Sequence, residues 1–329
     1  MKFKNITKYP TVIRNWGFLG LIRFTVNSPY RFIKRLFCRY IERSVNDYKL
    51  ILDLHDQGIS KELFIMGTRE KEHILFINEI LREGMVVLDL GANIGYYSVM
   101  LAKIVGKTGK VYAVEPSLSN FRMLSMNVEL NKVDDVVEVE NIGISDKTGV
   151  SNFYLSDKSN WHTFYPQVSE GGSHESLIEV TPVSVPVSTI KDFSVGKRPI
   201  ELIRMDIEGF EVEVMNSLIS ILKPNQFMPM IIFEVHQPRY NDSDHNMGKV
   251  LEEFFRLGYY VRKMASNIGI EKEKRIFREK GYKPIDVIRS DGMLREIFDD
   301  ISNSDAIEFI CHTELVRTVV LDSKIKKLT

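Results

Sequence analysis

The chain has 329 residues, an apolar content of 44% and a formal net charge of zero. This length suits one large globular domain with additions, or two small domains, and the apolar content is sufficient to bury a core. A net charge of zero gives no indication of a nucleic-acid binder, so we expect no nucleic-acid partner. The two cysteines, Cys38 and Cys311, form neither a disulfide framework nor a metal-ligand spacing, which fits a reducing cytoplasm.

Charge is distributed unevenly along the chain. Residues 1–43 hold ten Lys or Arg and one acidic residue, Glu42, so the remaining 34 basic and 43 acidic residues leave a net charge of −9. We expect residues 1–65 to form a basic, aromatic, helical extension that packs on the core or on a second subunit in a homodimer. The alternative is peripheral contact of residues 1–43 with an anionic membrane. No apolar run is long enough for a transmembrane helix.

From residue 69 onward, helical and strand-like patterns alternate. The alternation predicts a mostly parallel sheet with helices on both faces, in which ligands bind beyond the carboxyl ends of the strands. The predicted elements are helix 69–82, strand 86–90, helix 94–105, strand 110–115, helix 120–130, strand 136–140, strand 200–206, helix 211–222, strand 230–236, helix 248–257, a charged, solvated helix at 271–280 and a last strand at 308–312.

A long polar insertion at 150–187 interrupts this alternation. It contains a predicted hairpin and a segment, about 156–180, that we interpret as a lid or substrate loop because long loops often carry function. Within that segment, Trp161 is suited to stack on a sugar face, and His162 is a candidate substrate contact. The alternatives are a surface excursion without function and an aromatic side chain packed on the core.

The strongest local signal is Val87-Leu88-Asp89-Leu90-Gly91-Ala92-Asn93-Ile94-Gly95, a buried strand that runs into a turn and then a helix. Gly91 and Gly95 let the backbone turn sharply and approach a ligand closely, and the helix amino-terminus offers free N–H groups. The spacing is Gly-x-x-x-Gly and not the Gly-x-Gly-x-x-Gly of most dinucleotide folds. It therefore disfavours the main enzymatic alternative, an oxidoreductase with a nicotinamide cofactor.

A second signal follows roughly twenty residues after the turn, where an acidic residue, Glu115, ends the next predicted strand. An acid at this position is placed to accept hydrogen bonds from two ribose hydroxyls. The alternative for Glu115 is a helix cap or a solvated carboxylate. After the third strand, Asn141-Ile142-Gly143 would flank an adenine.

These motifs resemble those of the FkbM family of methyltransferases. The family usually has Lys where this sequence has Arg204, a difference that keeps the charge. Glu70 and Glu72 also lie where similar proteins carry acidic residues; the alternative is that they are solvated acids on an exposed helix face. The matching motifs are Asp-Leu-Gly-Ala-Asn-Ile-Gly-Tyr-Tyr-Ser at 89–98, Glu-Pro-Ser at 115–117, Ile-Gly-Ile-Ser-Asp at 142–146, Ile-Arg-Met-Asp-Ile-Glu-Gly-Phe-Glu at 203–211 and Phe-Glu-Val-His at 233–236.

The resemblance covers roughly residues 70–265 and does not extend to 1–65 or 270–329. It implies a Rossmann-like α/β fold of the class I methyltransferase type, with a mostly parallel seven-stranded sheet. We expect the methyltransferase domain to span 66–329, with its core at about 85–263. The resemblance also implies S-adenosylmethionine as cofactor and methyl donor and a hydroxyl group as the usual acceptor. The residues expected to bind the cofactor are Asp89, Gly91, Ala92, Asn93, Gly95, Tyr96, Tyr97, Ser98, Glu115, Pro116, Ser117, Asn141, Ile142 and Gly143.

Four ionisable residues follow two neighbouring strands: Asp206 and Glu208 after the fourth, Glu234 and His236 at the fifth. Residues two apart in a strand face the same side, so we expect these catalytic candidates to converge on one pocket. In one interpretation, His236 or Asp206 is the general base that removes the acceptor's proton. A second has some of the four bind a divalent cation, which we do not favour because no compact metal motif is present. In a third, Glu208 and Glu211 only place negative charge at a helix amino-terminus.

The sequence therefore predicts an S-adenosylmethionine-dependent O-methyltransferase with a small-molecule or glycan acceptor, a sugar hydroxyl being favoured. The alternatives are methylation of a natural product or at nitrogen, a nicotinamide-dependent oxidoreductase, and a non-catalytic subunit that binds S-adenosylmethionine. Arg239, just past the fifth strand, would bind an anionic acceptor or be a solvated charge. We expect the protein to be cytoplasmic, with peripheral membrane contact as the alternative.

Overall fold

The computed structural model describes residues 8–166, 182–224, 226–267 and 271–323, with residues 8–15 and 271–274 described by their backbone alone. The N-terminal part combines two helices with a β-hairpin. Its elements are α1 (Lys8–Lys34), β1 (Tyr40–Val45), β2 (Tyr48–Asp53) and α2 (Ile59–Met66). Within the described residues, we find no helix with both the length and the hydropathy that crossing a membrane requires.

A nine-stranded mixed sheet forms the centre of the molecule. Its first half comes from α3 (Lys71–Ile80), β3 (Val86–Leu90), α4 (Tyr96–Val105), β4 (Lys110–Val114), α5 (Leu118–Leu130) and β5 (Val137–Glu140). A small three-stranded sheet follows, made of β6 (Gly143–Ile144), β7 (Gly149–Tyr154) and β8 (Pro182–Ser188). The rest of the chain supplies α6 (Ile190–Phe193), β9 (Leu202–Met205), α7 (Glu211–Ile219), β10 (Met230–Glu234), a 3₁₀ helix (Gln237–Arg239), α8 (Met247–Arg256), β11 (Tyr259–Ser266), α9 (Glu271–Glu279), β12 (Asp286–Ser290), β13 (Met293–Phe298), α10 (Asn303–His312) and β14 (Val316–Ser323).

The strand order in the large sheet is β12-β13-β11-β14-β10-β9-β3-β4-β5. The strands from β10 to β5 pair in parallel, whereas β14 runs antiparallel between β10 and β11. The order reverses between β3 and β9, so the carboxyl ends of these two strands open the crevice in which such sheets bind ligands. This is the predicted Rossmann-like α/β fold, with the seven expected strands extended at one edge by the β12–β13 hairpin.

Helices cover both faces of the sheet, which explains why every residue of β3 is buried. Leu88 and Leu90 belong to the core that includes α7 and α8, whereas Val87 belongs to the core that includes α3 and α4. This alternation gives each face of the sheet its own core. Leu50 and Leu52 of β2 are fully buried in the second core, so the N-terminal hairpin packs with the sheet's helices.

The elements predicted between residues 69 and 257 are confirmed, with ends shifted by a few residues, and the hairpin predicted in the insertion is β7–β8. The strand predicted at 308–312 is wrong. Those residues belong to α10, which begins where the Ser302 side chain accepts a hydrogen bond from the backbone N–H of Asp305, and the last strand is β14. The helix predicted at 271–280 is not wholly solvated, because Phe277 is fully buried. Of the segment interpreted as a lid, 156–180, residues 156–166 are described, and residues 167–180 lie outside the described part of the chain.

Candidate functional site

The turn after β3 forms the floor of a cavity at the carboxyl ends of β3, β4 and β9. Gly91 has a φ of 75°, and a Cβ atom there would lie 2.0 Å from the carbonyl oxygen of Asp206. Glycine is therefore required both by the left-handed backbone and by the close approach of the two strand ends. The cavity measures about 770 Å³, counted with its open mouth. A ligand in this cavity can approach the backbone of Gly91 more closely than a side chain at this position would allow.

Glu115 closes the β4 side of this cavity. Its carboxylate accepts hydrogen bonds from the backbone N–H groups of Asn93 and Ser117, each at 2.8 Å. Burial raises the pKa of Glu115 to about 7, against the lowering effect of these two hydrogen bonds. The carboxylate lines the cavity with Pro116 and Gly143. This is the position from which an acid binds ribose hydroxyls in nucleotide-binding sheets.

Arg204 joins β3 and β9 beneath the cavity. Its guanidinium lies 3.2 Å from Asp89 Oδ1 and donates to Asp206 Oδ2 at 2.8 Å. The same group lies over the ring of Tyr97, 4.1 Å from its centroid. Asp89 is fully buried and accepts a hydrogen bond from Ser98 Oγ at 2.6 Å. Asp89 and Ser98, predicted as cofactor ligands, therefore lie behind the cavity wall, where they hold Arg204 and through it Asp206.

A second buried ion cluster borders the cavity around Glu70. Its carboxylate accepts a hydrogen bond from the Tyr97 hydroxyl at 2.8 Å and pairs with Arg69, while Arg317 of β14 lies 3.6 Å away and also pairs with Glu234. Burial raises the pKa of Glu70, but Arg69 and Arg317 lower it by more, to well below its usual range. Arg69 and Glu70 line the cavity. Nothing in the sequence pattern indicated Arg69 or Arg317, and only the family resemblance pointed to Glu70.

The four candidate catalytic side chains lie close together, but only Asp206 and Glu208 line the cavity. His236 Nε2 lies 3.5 Å from a carboxylate oxygen of Glu208 and 3.5 Å from one of Glu234. Its Nδ1 lies 3.0 Å from Glu211, which is fully buried. Burial lowers the pKa of His236, but Glu211 and Glu208 raise it by more, to about 10. Because an imidazolium has no free lone pair, this arrangement argues against His236 as the general base.

Glu208 is the carboxylate best placed to accept a proton. It lines the cavity beside Asp206, whose carboxylate already accepts a hydrogen bond from Arg204. Burial raises the pKa of Glu208 to about 7, against the lowering effect of His236. A carboxyl group with a pKa near neutrality can take up a proton during a reaction and release it afterwards.

Asp206, Glu234 and His236 also form a group that could hold a metal ion, since one ligand atom from each lies within 4.8 Å of the others. Two of the three are already compensated, because Arg204 pairs with Asp206 and Arg317 pairs with Glu234. A cation would have to compete with these buried guanidinium groups. The geometry therefore favours a network of ion pairs over a metal centre.

The described start of the predicted lid covers the cavity. The carbonyl oxygen of Ser159 accepts hydrogen bonds from Asn93 Nδ2 at 3.0 Å and from Asn120 Nδ2 at 2.9 Å, and its hydroxyl donates to Asp56 at 2.9 Å. His162 lines the cavity, and burial lowers its pKa to about 4, so its imidazole is neutral. These contacts hold the segment between α5 and the loop before α2, next to Asn93 in the turn after β3.

Three of the predicted residues outside the cavity lining, Trp161, Arg239 and Asn141, have other contacts. Trp161 packs under the Lys158 ammonium, which lies 3.1 Å from its ring centroid. Arg239 packs its aliphatic stem on Gly209, where a Cβ would lie 2.5 Å from Arg239 Cγ. Asn141 donates to the carbonyl oxygens that follow β4 and so fixes that loop.

About half of the predicted site residues line the cavity. The predicted residues that line the cavity are Gly91, Ala92, Asn93, Tyr96, Tyr97, Glu115, Pro116, Gly143, His162, Asp206 and Glu208. The predicted residues outside its lining are Asp89, Gly95, Ser98, Ser117, Asn141, Ile142, Trp161, Glu234, His236 and Arg239. The lining residues that sequence reasoning missed include Ile59, Asn120, Phe153, Ser159 and Phe164, which come from the extension, from α5 and from the insertion.

The strand order, the glycine turn and the acid after β4 together define a Rossmann-like fold of the class I methyltransferase type, with S-adenosylmethionine as its cofactor. The cavity fits that group, because Gly91 leaves room for close backbone contact and Glu115 offers a carboxylate to a ribose. The methyltransferase FkbM domain matches residues 89–261, and the chain belongs to that family.

Two curated proteins resemble shorter stretches of the chain. The tRNA(Phe) (4-demethylwyosine(37)-C(7)) aminocarboxypropyltransferase of Methanocaldococcus jannaschii is 30% identical over 108 residues, which is 32% of this chain and 41% of that protein. Protein arginine N-methyltransferase 6 of Danio rerio is 33% identical over 116 residues, which is 33% of this chain and 32% of that protein. The chain thus matches less than half the length of either relative.

Solved structures with similarity to the chain include TYW2 of M. jannaschii in complex with AdoMet, at 14% identity and a TM-score of 0.39, covering 87% of both chains. A SAM-dependent methyltransferase from Aquifex aeolicus has 17% identity and a TM-score of 0.33, covering 75% of this chain and 94% of that one.

Proposed function

We propose that the protein is an O-methyltransferase that transfers the methyl group of S-adenosylmethionine to a hydroxyl, with a sugar or glycan hydroxyl as the acceptor. The observation that carries the proposal is Glu208, a carboxylate that lines the cofactor cavity beside Asp206 and whose pKa burial raises to about 7. An alcohol must lose its proton during methyl transfer, and a base of this kind suits that task at neutral pH.

When bound, S-adenosylmethionine would supply its sulfonium methyl group to the acceptor oxygen and would leave as S-adenosylhomocysteine. The chain's part is to hold the acceptor in line and to take the hydroxyl proton on a Glu208 oxygen. Arg204 orients Asp206 by a hydrogen bond of 2.8 Å, which leaves its other carboxylate oxygen to accept from the acceptor. His236 holds Glu208 and Glu234 by its positive charge and acts as a positioning residue.

A polyhydroxylated acceptor suits this site because two carboxylates, Asp206 and Glu208, line the cavity. Carboxylates accept hydrogen bonds from sugar hydroxyls. The resemblance to the FkbM family points to the same acceptor class. An amine that entered the site unprotonated would need no base such as Glu208. A requirement for Glu208 therefore distinguishes methylation at oxygen from methylation at nitrogen.

The test is a methyl-transfer assay with isotope-labelled S-adenosylmethionine and a panel of sugars, nucleotide sugars, glycolipids and amines, with product atoms assigned by NMR. We expect labelled methyl on a hydroxyl oxygen of a sugar-containing acceptor. Label on nitrogen, or on amines alone, would overturn the acceptor assignment while leaving the methyltransferase class intact.

A further inference from the structure

Helix α1 and the turn after it present an apolar surface to solvent. On α1, Phe18, Ile22, Val26 and Ile33 recur on one side, and their exposed fractions range from 43% to 71%. Phe37, just beyond the helix, is 82% exposed. Half of the exposed large apolar side chains in the described part of the chain lie between residues 18 and 40. Such a concentration marks an interaction surface, since single exposed apolar residues are common but contiguous patches are not.

The opposite side of α1 is fixed to the protein by polar contacts. Arg23 donates to the carbonyl oxygen of Met66 at 2.6 Å, and Asn27 donates to that of Ile65 at 2.8 Å, both at the end of α2. Arg31, 6% exposed, donates to the backbone of the loop before α2. These contacts set the rotation of α1 about its axis. The apolar side therefore faces outward because of the native packing and is not available to the core.

The charge of this segment selects the kind of partner. From residue 8 to residue 41 the chain has seven Lys or Arg and no acidic residue. Arg23 and Arg31 are bonded to the protein backbone and Arg39 pairs with Asp53, whereas Lys34 and Arg35 lie beside the apolar surface. Arg35 lies over the ring of Phe32, 5.1 Å from its centroid, and Arg39 lies over Tyr40 at 5.3 Å. A second copy of the same surface would bring like charges together, whereas an anionic surface would be attracted. Basic and aromatic residues around an outward apolar stripe are typical of helices that lie in a membrane interface.

We propose that α1 and the following turn, residues 18–40, dock the protein on an anionic lipid membrane, with the apolar stripe inserted among the acyl chains and the basic residues at the headgroups. From Phe18 to Ile33 the helix is about 22 Å long, which is enough for a helix lying parallel to the membrane. The docking surface is also close to the cofactor cavity. Arg31 contacts Asp56, and Asp56 accepts a hydrogen bond from Ser159 of the cavity wall.

The experiment is co-sedimentation of the full chain with vesicles of phosphatidylcholine alone and with vesicles that also contain phosphatidylglycerol. We expect binding to the anionic vesicles that weakens as salt is added, and much weaker binding to the neutral ones. A triple variant, Phe18→Ser, Val26→Ser and Phe37→Ser, should reduce partitioning to anionic vesicles by about tenfold or more. The matched control is Val150→Ser with Val195→Ser, two side chains that are 69% and 79% exposed elsewhere; it should partition as the wild type does.

Binding of S-adenosylhomocysteine by each variant checks that the fold is retained, and it reports on the cofactor site separately from lipid. The proposal is overturned if the wild type ignores anionic vesicles, or if the triple variant binds them as well as the wild type. Light scattering separates the rival occupant: a concentration-dependent dimer that the triple variant abolishes, without vesicle binding, would assign the surface to a second copy of the chain.

Discussion

At the residue scale, the chemistry of the site depends on four neighbouring carboxylates that outnumber the positively charged groups beside them, Arg204, Arg317 and His236. Asp206 and Glu234 each pair with an arginine, and Glu211 pairs with one nitrogen of His236. Glu208 shares the other nitrogen of that imidazole, at 3.5 Å, with Glu234. Of Asp206 and Glu208, which both line the cavity, Glu208 is thus the less compensated, and burial raises its pKa to about 7.

We predict that Glu208→Gln lowers kcat by about a hundredfold or more, the usual contribution of a general base, and changes the Kd of S-adenosylhomocysteine little. In the wild type, kcat should rise with pH through about 7 as Glu208 loses its proton, and this limb should disappear in the variant. Glu252→Gln, at an exposed acid on α8, is the control. A variant that keeps both the rate and the pH limb would remove Glu208 from the chemistry.

Removal of metal ions should not change the rate. Arg204 and Arg317 already compensate two of the three groups that could hold a cation, so a chelator has no essential ion to withdraw. The measurement is methyl transfer before and after dialysis against EDTA. Loss of activity that Mg²⁺ or Mn²⁺ restores would show instead that a cation displaces the arginines.

At the element scale, the insertion between β7 and β8 meets the N-terminal extension above the cavity. Ser159 links the two by donating to Asp56, an acid that also accepts from the backbone N–H of Ser60 at the start of α2. A Cβ on Gly58 would lie 2.1 Å from Asn160 Oδ1, so the two segments are in close contact. The cover of the cofactor cavity therefore depends on residues far apart in the chain.

We predict that Ser159→Ala weakens binding of S-adenosylhomocysteine by about three- to tenfold, because it removes one of the hydrogen bonds, of about 1 kcal/mol, that hold the cover in place. This weaker binding should appear as a faster release of S-adenosylhomocysteine from Ser159→Ala than from the wild type, measured by stopped-flow. Ser156→Ala, whose hydroxyl contacts neighbouring loop residues, should release ligand at the wild-type rate. Identical rates in all three proteins would mean that the contact does not retain the ligand.

Local signals in the sequence predicted the glycine turn, Glu115 and the central elements, because each depends on neighbouring residues. The ion pairs of Arg69 and Arg317 depend on the tertiary placement of α3 and β14, so no local pattern could indicate them. The β1–β2 hairpin was missed although Asn46, with a φ of 51°, marks its turn. Its outer side chains are polar or half-buried, and the aromatic, basic composition around it favoured a helix.

At the scale of the whole molecule, the extension is part of the folded core. Leu50 and Leu52 are fully buried with side chains of α4 and α5, and Asn127 of α5 donates to and accepts from the backbone of Ile51. The extension thus contributes to folding, in addition to the docking surface proposed for α1. Side chains before and after residues 65 and 66 share one core.

We predict that Leu50→Ala lowers the free energy of unfolding by roughly 2–5 kcal/mol, as expected for a large buried side chain replaced by alanine. Leu118→Ala, at a side chain that is 51% exposed, should change it by less than about 0.5 kcal/mol. Urea denaturation followed by circular dichroism measures both. An equal, small effect at the two positions would mean that the extension is only loosely attached.

The central claim is that the cavity under Ser159 binds S-adenosylmethionine through Glu115, and calorimetric titration with S-adenosylhomocysteine, with NADH in parallel, tests it most directly. We predict micromolar binding of S-adenosylhomocysteine alone, at about 10⁻⁶ M. Glu115→Ala should weaken this binding by about a hundredfold, since the two hydrogen bonds that the ribose hydroxyls would donate to the Glu115 carboxylate are lost. Glu140→Ala, at a half-buried acid outside the cavity, should bind as the wild type does. No binding, binding of NADH instead, or an unchanged affinity in Glu115→Ala would contradict the account.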